Sequence, residues 1–105
     1  MIEDISVINL KKRLDAGETI NLIDVRETFE FEDFNLNGLL IPLGELPSRL
    51  EEIEHWKDEE IIVHCRSGRR SQTAQHFLLQ MGFKNVRNLL GGVLDWQAHY
   101  GSDSH

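Results

Sequence analysis

Short apolar runs alternate with amphipathic segments along the whole chain, and this alternation constrains the fold more than any other feature. Residues 20–25 and 61–64 are short, nearly continuous apolar runs, the pattern of parallel strands buried on both faces. Residues 86–90 predict a further strand. Residues 39–43 predict only an edge or terminal piece, because Pro42 cannot donate a ladder hydrogen bond. Such alternation predicts an α/β fold, a three-layer α/β/α arrangement with a mainly parallel central sheet.

Helical spacing of apolar residues fills the segments between these strands. Ser6 predicts the N-cap of a first helix, which carries Val7, Leu10 and Leu14 on one face and stops at Gly17. A second helix is predicted at residues 27–34, and a third is marked by Leu46, Leu50 and Ile53. A fourth begins at Ser71, ends at Gly82, and has an apolar face formed by Ala74, Phe77, Leu78 and Met81. A last helix follows Gly91 and Gly92 and carries Val93, Trp96 and Tyr100.

The length of 105 residues allows one domain, residues 1–105, with a frayed tail at about residues 101–105. A domain of this size buries about two-thirds of the surface that its unfolded chain exposes, which is enough for a core without covalent staples. Apolar residues make up 40% of the chain and charged residues 28%, which indicates a globular protein. Collagen, coiled-coil and disulfide-scaffold classes are therefore excluded.

The chain is acidic, with 11 Lys and Arg against 18 Asp and Glu and a net charge of −7. This charge argues against a general nucleic-acid binder and against docking on anionic lipid. No apolar run approaches the ~20 residues that span a bilayer, and the first ten residues lack the regions of a signal peptide. We expect a cytoplasmic protein that binds neither nucleic acid nor membrane. We also expect a monomer, since no large exposed apolar patch is predicted.

The only cysteine, Cys65, has a position that favours a reactive thiol. It follows the strand predicted at residues 61–64 and precedes the helix predicted to open at Ser71. Ligands of open α/β sheets bind at the carboxyl ends of the strands. A thiol before a helix N-terminus also lies near the positive end of the helix dipole and near unpaired backbone N–H groups. Both effects favour the thiolate and lower the pKa of the thiol below its usual ~8.5.

Three arginines, Arg66, Arg69 and Arg70, stand in the same loop of an otherwise acidic chain. Their charge should concentrate anionic substrates at the loop, while the rest of the surface repels them. Gly68 lies between them, where a tight loop needs a positive φ or a close backbone approach. A thiolate, a guanidinium clamp and backbone N–H donors make a coherent catalytic set for an anionic substrate.

Each of these features also has a structural interpretation. A lone cysteine after a buried strand is often a core residue, and arginines in a turn are often a solvated surface. Ser71 is most simply an N-cap. His64 next to Cys65 suggests a Cys–His pair, but adjacent strand residues point to opposite faces, so His64 is not assigned as a base. The conjunction at one strand–loop–helix junction favours catalysis or anion binding.

At this point the sequence resembles the rhodanese family over nearly its whole length. The loop at residues 65–71, CRSGRRS, is similar to the family's active-site loop: Cys, four residues, then Arg, with a central Gly. Three further blocks resemble family segments in the same order: LIDVRETFEF at residues 22–31, IPLGEL at 41–46 and GFKNVRNLLGGVLDW at 82–96. Four blocks in order make the resemblance specific.

The resemblance implies a compact domain around a five-stranded parallel sheet and a sulfurtransferase that carries sulfur as a persulfide. Cys65 would be the nucleophile and sulfur carrier, and Arg70 the loop-closing arginine that helps hold the anionic donor. Asp24 and Arg26 match the family's Asp-x-Arg and would buttress the loop. The residues implied to bind substrate are Arg66, Ser67, Gly68, Arg69, Ser71 and Arg26, of which residues 66–69 supply a backbone cradle.

One segment departs from the family pattern. Where the family often has Gly-His-Ile-x-Gly-Ala, residues 34–39 read FNLNGL, so Gly38 fits and the histidine is absent. We interpret that histidine as structural, so the departure concerns local packing more than activity.

The implied reaction needs no metal or organic cofactor. Its partners are a small anionic sulfur donor such as thiosulfate and an acceptor that is a thiol or a protein cysteine. Two alternatives stay open. One is a non-catalytic or regulatory binding module, which would typically lack the loop cysteine. The other is a cysteine phosphatase or arsenate reductase, but those sites place five residues between Cys and Arg, whereas four separate Cys65 from Arg70.

Overall fold

Four parallel strands form the centre of the computed structural model, which describes residues 3–102 of the chain. They are β1 (Leu22–Asp24), β2 (Leu39–Leu40), β3 (Glu60–His64) and β4 (Asn85–Asn88). Their order across the sheet is β2-β1-β3-β4, and every neighbouring pair is parallel. The predicted α/β class is confirmed, and the short piece before Pro42 is an edge strand, as expected.

The number of strands differs from the five that the resemblance implied. The fifth position, beside β4, is reduced in the described residues to a single parallel bridge between Ile5 and Leu89. The chain cannot extend this strand because a helix begins at once: the Ser6 hydroxyl accepts a hydrogen bond from the Asn9 N–H at 3.1 Å and caps it.

Helices cover both faces of the sheet, as the apolar spacing predicts. They are α1 (Val7–Asp15), α2 (Thr28–Asp33), a 3₁₀ segment (Leu43–Trp56), α3 (Arg69–Gln80) and α4 (Gly92–Tyr100). One core includes Ile23, Val63, Ile53 and Leu78, between the sheet, the 3₁₀ segment and α3. The other includes Leu22, Ile62, Leu10 and Trp96, between the sheet, α1 and α4. Alternate residues of β1 and β3 thus face opposite layers.

Two helical predictions need correction. The helix expected around Leu46 and Ile53 is a 3₁₀ segment with a kink at Arg49, and Pro47, which has no N–H to donate, lies inside it. The helix expected to open at Ser71 begins two residues earlier, at Arg69. Its Ser71 is buried and its side chain bonds elsewhere, so the residue is not the N-cap.

Two further expectations concern the frayed tail at the end of the chain and a membrane-spanning segment. Gly101 and Ser102 are exposed, and the rest of the predicted frayed tail, residues 103–105, lies outside the described residues. Within residues 3–102, no helix combines the length and the apolar character needed to cross a bilayer.

Candidate active site

The loop after β3 lies at the carboxyl end of the sheet and is fixed by backbone contacts from α4. The Val93 N–H donates to the Cys65 carbonyl at 3.0 Å, and the Leu94 N–H donates to the Arg66 carbonyl at 2.9 Å. Gly92 permits this approach, because a Cβ there would lie 2.6 Å from the Cys65 oxygen. The Gly-Gly pair therefore seats the first turn of α4 against the loop that carries the cysteine.

The sulfur of Cys65 lies inside a group of hydrogen-bond donors. Its Sγ accepts from the Gly68 N–H at 3.1 Å, and from the N–H and the hydroxyl of Ser71 at 3.4 Å each. Gly68 has φ +104°, a left-handed conformation that turns the loop into α3 and that other residues rarely adopt. The cysteine is buried, with 1% of its surface exposed. We call these donors the cradle: the N–H groups of Gly68 and Ser71 and the Ser71 hydroxyl.

Two opposing effects set the acidity of this thiol. Burial of Cys65 raises its pKa, because the thiolate is poorly solvated there. Hydrogen bonds to the sulfur lower its pKa and outweigh burial. They come from the hydroxyl and N–H of Ser71 and from the N–H of Gly68, with a smaller contribution from the Ser67 N–H. The net pKa lies below that of an ordinary cysteine, so the structure favours a nucleophilic thiolate.

Asn88, at the end of β4, holds the cradle from behind. Its Oδ1 accepts from the Ser71 hydroxyl at 2.6 Å, and its Nδ2 donates to the Gly68 carbonyl at 3.1 Å. Its own N–H donates to Asp4 Oδ1 at 3.0 Å, and the residue is buried. Sequence reasoning missed Asn88; the signal was an amide residue ending a buried strand just before the Gly-Gly turn.

The loop-closing arginine, Arg70, is paired with a residue that the sequence did not single out. Its Nη1 and Nη2 lie 2.7 and 2.9 Å from the two carboxylate oxygens of Glu30 in α2. The Arg70 guanidinium lowers the pKa of Glu30 to about 2 despite partial burial, so this carboxylate is charged at neutral pH. Arg70 thus connects the loop to α2, and its charge is already partly neutralised. Only the acidic character of the predicted helix at residues 27–34 hinted at Glu30.

Arg26 and Asp24 form a buried ion pair at the end of β1. Arg26 Nη2 lies 2.7 Å from Asp24 Oδ2 and also donates to the Phe34 carbonyl at 2.6 Å. These contacts join the end of β1 to the end of α2, and the buttress that the resemblance implied stays a prediction. His64 packs beside it, fully buried, with Nε2 3.8 Å from Asp24 Oδ2. Burial lowers the pKa of His64 to about 4, opposed by Asp24 and assisted by Arg26, so the ring is neutral at pH 7.

The remaining predicted site residues lie at the outer surface of the loop. Arg66, Ser67 and Arg69 are exposed. Arg66 lines a cleft of about 380 Å³ between the loop, α2 and α4, and Arg26 lies at the same cleft. Of the N–H groups expected to form the backbone cradle, that of Gly68 lies 3.1 Å from the sulfur and that of Ser67 makes a smaller contribution. The Ser71 N–H adds a further donor that was not among the four residues of the expected cradle.

A cysteine held by hydrogen-bond donors at the end of a parallel strand defines a cysteine-dependent site on an α/β fold. The sequence model of the rhodanese-like domain matches residues 6–99, and the chain belongs to that family.

Individual relatives agree with this family. A Bacillus subtilis protein named "Putative sulfur carrier protein YrkF" is 40% identical over 96 residues, which are 90% of this chain and 51% of that protein, so the chain spans about half of that relative. An Allochromatium vinosum protein named "Sulfurtransferase" is 35% identical over 100 residues, covering 94% of this chain and 92% of the relative. The crystal structure of a rhodanese-related protein from Thermoplasma volcanium superposes with a TM-score of 0.81 at 30% identity, covering 93% of each chain.

Proposed function

We propose that the chain is a sulfurtransferase that moves a sulfane sulfur from an anionic donor such as thiosulfate to a thiol acceptor through a persulfide on Cys65. The observation that carries the proposal is the cradle, in which donors from Gly68 and Ser71 converge on Sγ at 3.1 to 3.4 Å. Such donors stabilise the negative charge that sulfur bears before and after each transfer. Relatives named for sulfur transfer and sulfur carriage support the same reaction.

In the first step, the Cys65 thiolate attacks the outer sulfur of the donor. With thiosulfate, a bond forms between Sγ and that sulfur, the sulfur–sulfur bond of the donor breaks, and its electron pair leaves with sulfite. The side chain is then a persulfide. Exposed Arg66 and Arg69 have no ion pair in the described part of the chain, so their charge is available to attract the donor. Arg70 shares its charge with Glu30 and supports the loop as well as the donor.

In the second step, an acceptor thiolate attacks the outer sulfur of the persulfide. The bond between that sulfur and Sγ breaks, its electron pair returns to Cys65, and the thiolate is restored. Atoms and electrons balance without an external oxidant. Because Cys65 is the only cysteine among these 105 residues, the acceptor thiol lies outside them.

The loop length favours sulfur over phosphate chemistry. Four residues separate Cys65 from Arg70, and the cradle donors already contact Sγ. A terminal sulfur needs less room beside Sγ than a tetrahedral phosphate does. We therefore rank a phosphatase or an arsenate reductase below the sulfurtransferase.

Intact-mass spectrometry after thiosulfate treatment tests the proposal. The wild-type protein should gain one sulfur atom, about +32 Da, which cyanide or a reductant removes. Cys65→Ser should show neither the adduct nor turnover, and its folding can be checked by circular dichroism. A Cys65→Ser protein that retains nearly full sulfur transfer would overturn the mechanism. Turnover of an aryl phosphate by the wild-type protein would favour the phosphatase instead.

A further inference from the structure

The first turn of α4 is capped by the cysteine loop. Its N-cap residue is Gly91, which has no side chain to accept from the N–H groups of that turn. Two of these groups donate to the loop instead: the Val93 N–H to the Cys65 carbonyl at 3.0 Å, and the Leu94 N–H to the Arg66 carbonyl at 2.9 Å. The first N–H groups of a helix have no acceptor within the helix, so the loop carbonyls satisfy them. Helix and loop therefore hold each other through their backbones.

Gly92 lies where these two backbones come closest. A Cβ on this residue would lie 2.6 Å from the Cys65 carbonyl oxygen and 2.7 Å from that of Arg66, which is shorter than Cβ contacts in proteins. Both neighbours are backbone atoms, which cannot turn aside as the end of a flexible side chain does. The φ of +55° also disfavours any residue with a side chain. Helix and loop can keep this distance only if the residue is glycine.

The direction of the two loop carbonyls also sets the direction of two N–H groups. In a planar trans peptide, the C=O of one residue and the N–H of the next point in opposite directions. Because the carbonyls of Cys65 and Arg66 point to α4, the N–H groups of Arg66 and Ser67 point away from it. Neither of these N–H groups has a backbone acceptor among residues 3–102. That of Ser67 helps to lower the pKa of Cys65, so α4 keeps this donor on the side of the sulfur.

The same strand-to-helix segment holds the far end of the loop. Asn88 Nδ2 donates to the Gly68 carbonyl at 3.1 Å, and a Cβ on Gly68 would lie 3.7 Å from the Gly91 nitrogen. Three of the four carbonyls of residues 65–68 thus accept from residues 88–94. A loop whose carbonyls are bound on one side presents its N–H groups on the other, where they favour an anion.

We propose that Gly92 is a positioning residue for sulfur transfer. It lets the first turn of α4 bind the loop carbonyls, and this contact holds the loop N–H groups toward the sulfur of Cys65. Gly92 has no side chain that could touch the donor or the acceptor, so it acts through the peptide units of the loop. Donors fixed in advance stabilise charge on sulfur without reorganising during the reaction. This role rests on the proposed function.

Two changes test the contact by different means. Gly92→Ala introduces the Cβ that clashes with the loop carbonyls. An ester in place of the amide between Val93 and Leu94 removes the N–H that donates to the Arg66 carbonyl and adds no atom that could clash. A synthetic C-terminal segment that begins at Cys65 carries the ester and is ligated to the rest of the chain, so the full protein is tested. The ester variant decides the matter if Gly92→Ala does not fold.

Each change has a matched control in the same helix. Gly101→Ala also places a side chain at positive φ, +81°, but its Cβ would have no heavy atom within 4 Å. An ester between Gln97 and Ala98 removes an N–H inside α4 that does not face the loop. Both controls should lose stability in urea unfolding, because one strains the backbone and the other removes a helical hydrogen bond.

The readouts are kcat for sulfur transfer from thiosulfate and the pH midpoint of Cys65 alkylation. Gly92→Ala should lower kcat at least about tenfold, and the ester before Leu94 should lower it about fivefold, the scale of one hydrogen bond. Both should raise the midpoint, because donors that favour the thiolate are no longer held in place. The two controls should keep the kcat and the midpoint of the wild type, although their stability falls.

The outcomes separate the role of Gly92 from the proposed function. If both test variants keep the midpoint and kcat of the wild type, the contact is only structural and the role is wrong, while the sulfurtransferase stands. If Gly101→Ala changes both readouts as much as Gly92→Ala does, strain at positive φ explains the effect, and the role is wrong again. If thiosulfate adds no mass to the wild type, the proposed function fails, and a role in sulfur transfer fails with it.

Discussion

At Cys65, burial and hydrogen bonding act on the thiol in opposite directions, and hydrogen bonding prevails. Burial alone would make the residue an inert core cysteine, as 1% exposure suggests. The N–H groups of Gly68 and Ser71 reverse this by stabilising the thiolate, and the Ser71 hydroxyl adds to them when its proton points to Sγ. The Ser71 hydroxyl has a single proton, and Asn88 Oδ1 lies nearer to it, at 2.6 Å, than Sγ does. The reactivity of the sulfur therefore depends on residues beyond the loop.

The first residue-scale prediction concerns the pKa of Cys65. The rate of alkylation by iodoacetamide against pH should give a midpoint below the ~8.5 of a free cysteine. Ser71→Ala should raise that midpoint, because it removes the hydroxyl whose hydrogen bond lowers the pKa of Cys65. Thr73→Ala is the control, because Thr73 is an exposed hydroxyl residue on the same helix whose hydroxyl contacts the Arg69 carbonyl. A wild-type midpoint at or above 8.5 would mean that the cradle does not activate the thiol.

The second residue-scale prediction concerns Asn88. Asn88→Leu should shorten the lifetime of the persulfide and shift the alkylation midpoint, because it removes the hydrogen bond that positions Gly68 and the acceptor that competes with Sγ for the Ser71 proton. Gln75→Leu is the matched control, since Gln75 is also buried and bonds to β4 and Asp4 without touching the cradle. Both variants should lose stability, but only Asn88→Leu should change the midpoint. Equal midpoints in the two variants would assign Asn88 a purely structural role.

At the scale of elements, the first turn of α3, which follows the cysteine loop, carries charges that a helix N-terminus disfavours. Arg69 and Arg70 lie in its first turn, near the positive end of the helix dipole, where cations are unfavourable. The paired Glu30 offsets this cost for Arg70, and it also caps α2, where it accepts from the Glu27 N–H at 3.0 Å. None of the residues of α2 is fully buried, so this ion pair is a main attachment of α2 to the loop.

The attachment of α2 gives the third prediction. Arg70→Lys should lower kcat/KM for thiosulfate at least about tenfold, because an ammonium group cannot replace the two-pronged contact with Glu30. Arg66→Ala should lower the rate of donor capture modestly, and raising the salt concentration should reduce the difference from wild type. Steady-state assays at low and high salt compare the two. The same modest loss with the same salt dependence in both variants would contradict the division of roles.

Loop length gives the fourth prediction. Insertion of one Gly between Gly68 and Arg69 places five residues between Cys65 and Arg70 and moves the Ser71 donors away from the sulfur. The variant should lose persulfide stability and sulfur transfer while keeping its fold. Intact mass after thiosulfate treatment and circular dichroism check the two statements. A variant that forms a persulfide as stable as that of the wild type would show that the spacing is not critical.

For the whole molecule, two titrating side chains, the fully buried His64 and the partly buried Glu30, predict how stability depends on pH. His64 is neutral in the fold, with its pKa lowered to about 4 from an ordinary 6.5, mainly by burial. The unfolded chain therefore binds a proton that the folded chain does not, and stability falls as pH drops from about 6.5 to about 4. Glu30 acts at lower pH: its pKa is about 2 in the fold against 4.5 ordinarily, so its contribution is lost between about pH 4.5 and 2.

The fifth prediction follows from the expected loss of stability as the pH falls below the ordinary pKa of His64. Urea unfolding of the wild type should show a loss of stability on the order of 3 kcal/mol between pH 6.5 and 4 from His64. His64→Phe, similar in size but without a titrating group, should flatten the curve in that range. Ile61→Val, a buried β3 substitution without a titrating group, is the control and should lower stability by the same amount at every pH. A curve for His64→Phe as steep as that of the wild type would contradict the assignment.

The sequence by itself determined the alternation of strands and helices and the position of the reactive loop. These features are encoded locally, because side-chain period and chain neighbours decide whether a segment is a strand, a helix or a turn. Local signals predicted the ends of elements less accurately. The helix predicted to begin at Ser71 begins at Arg69, because Gly68 makes the turn and the Ser71 side chain bonds to Asn88 instead of capping the helix. The implied fifth strand also shrank to one bridge, at Ile5.

Only the tertiary structure decided the partners of the site. Arg70 meets Glu30, 40 positions away, and Ser71 meets Asn88, 17 positions away. Such contacts arise because the strand order β2-β1-β3-β4 brings the carboxyl ends of distant strands, and the segments that follow them, to one edge of the sheet. Hydrophobic periodicity specifies which face of each element is buried, but not which polar side chains meet beyond the strand ends.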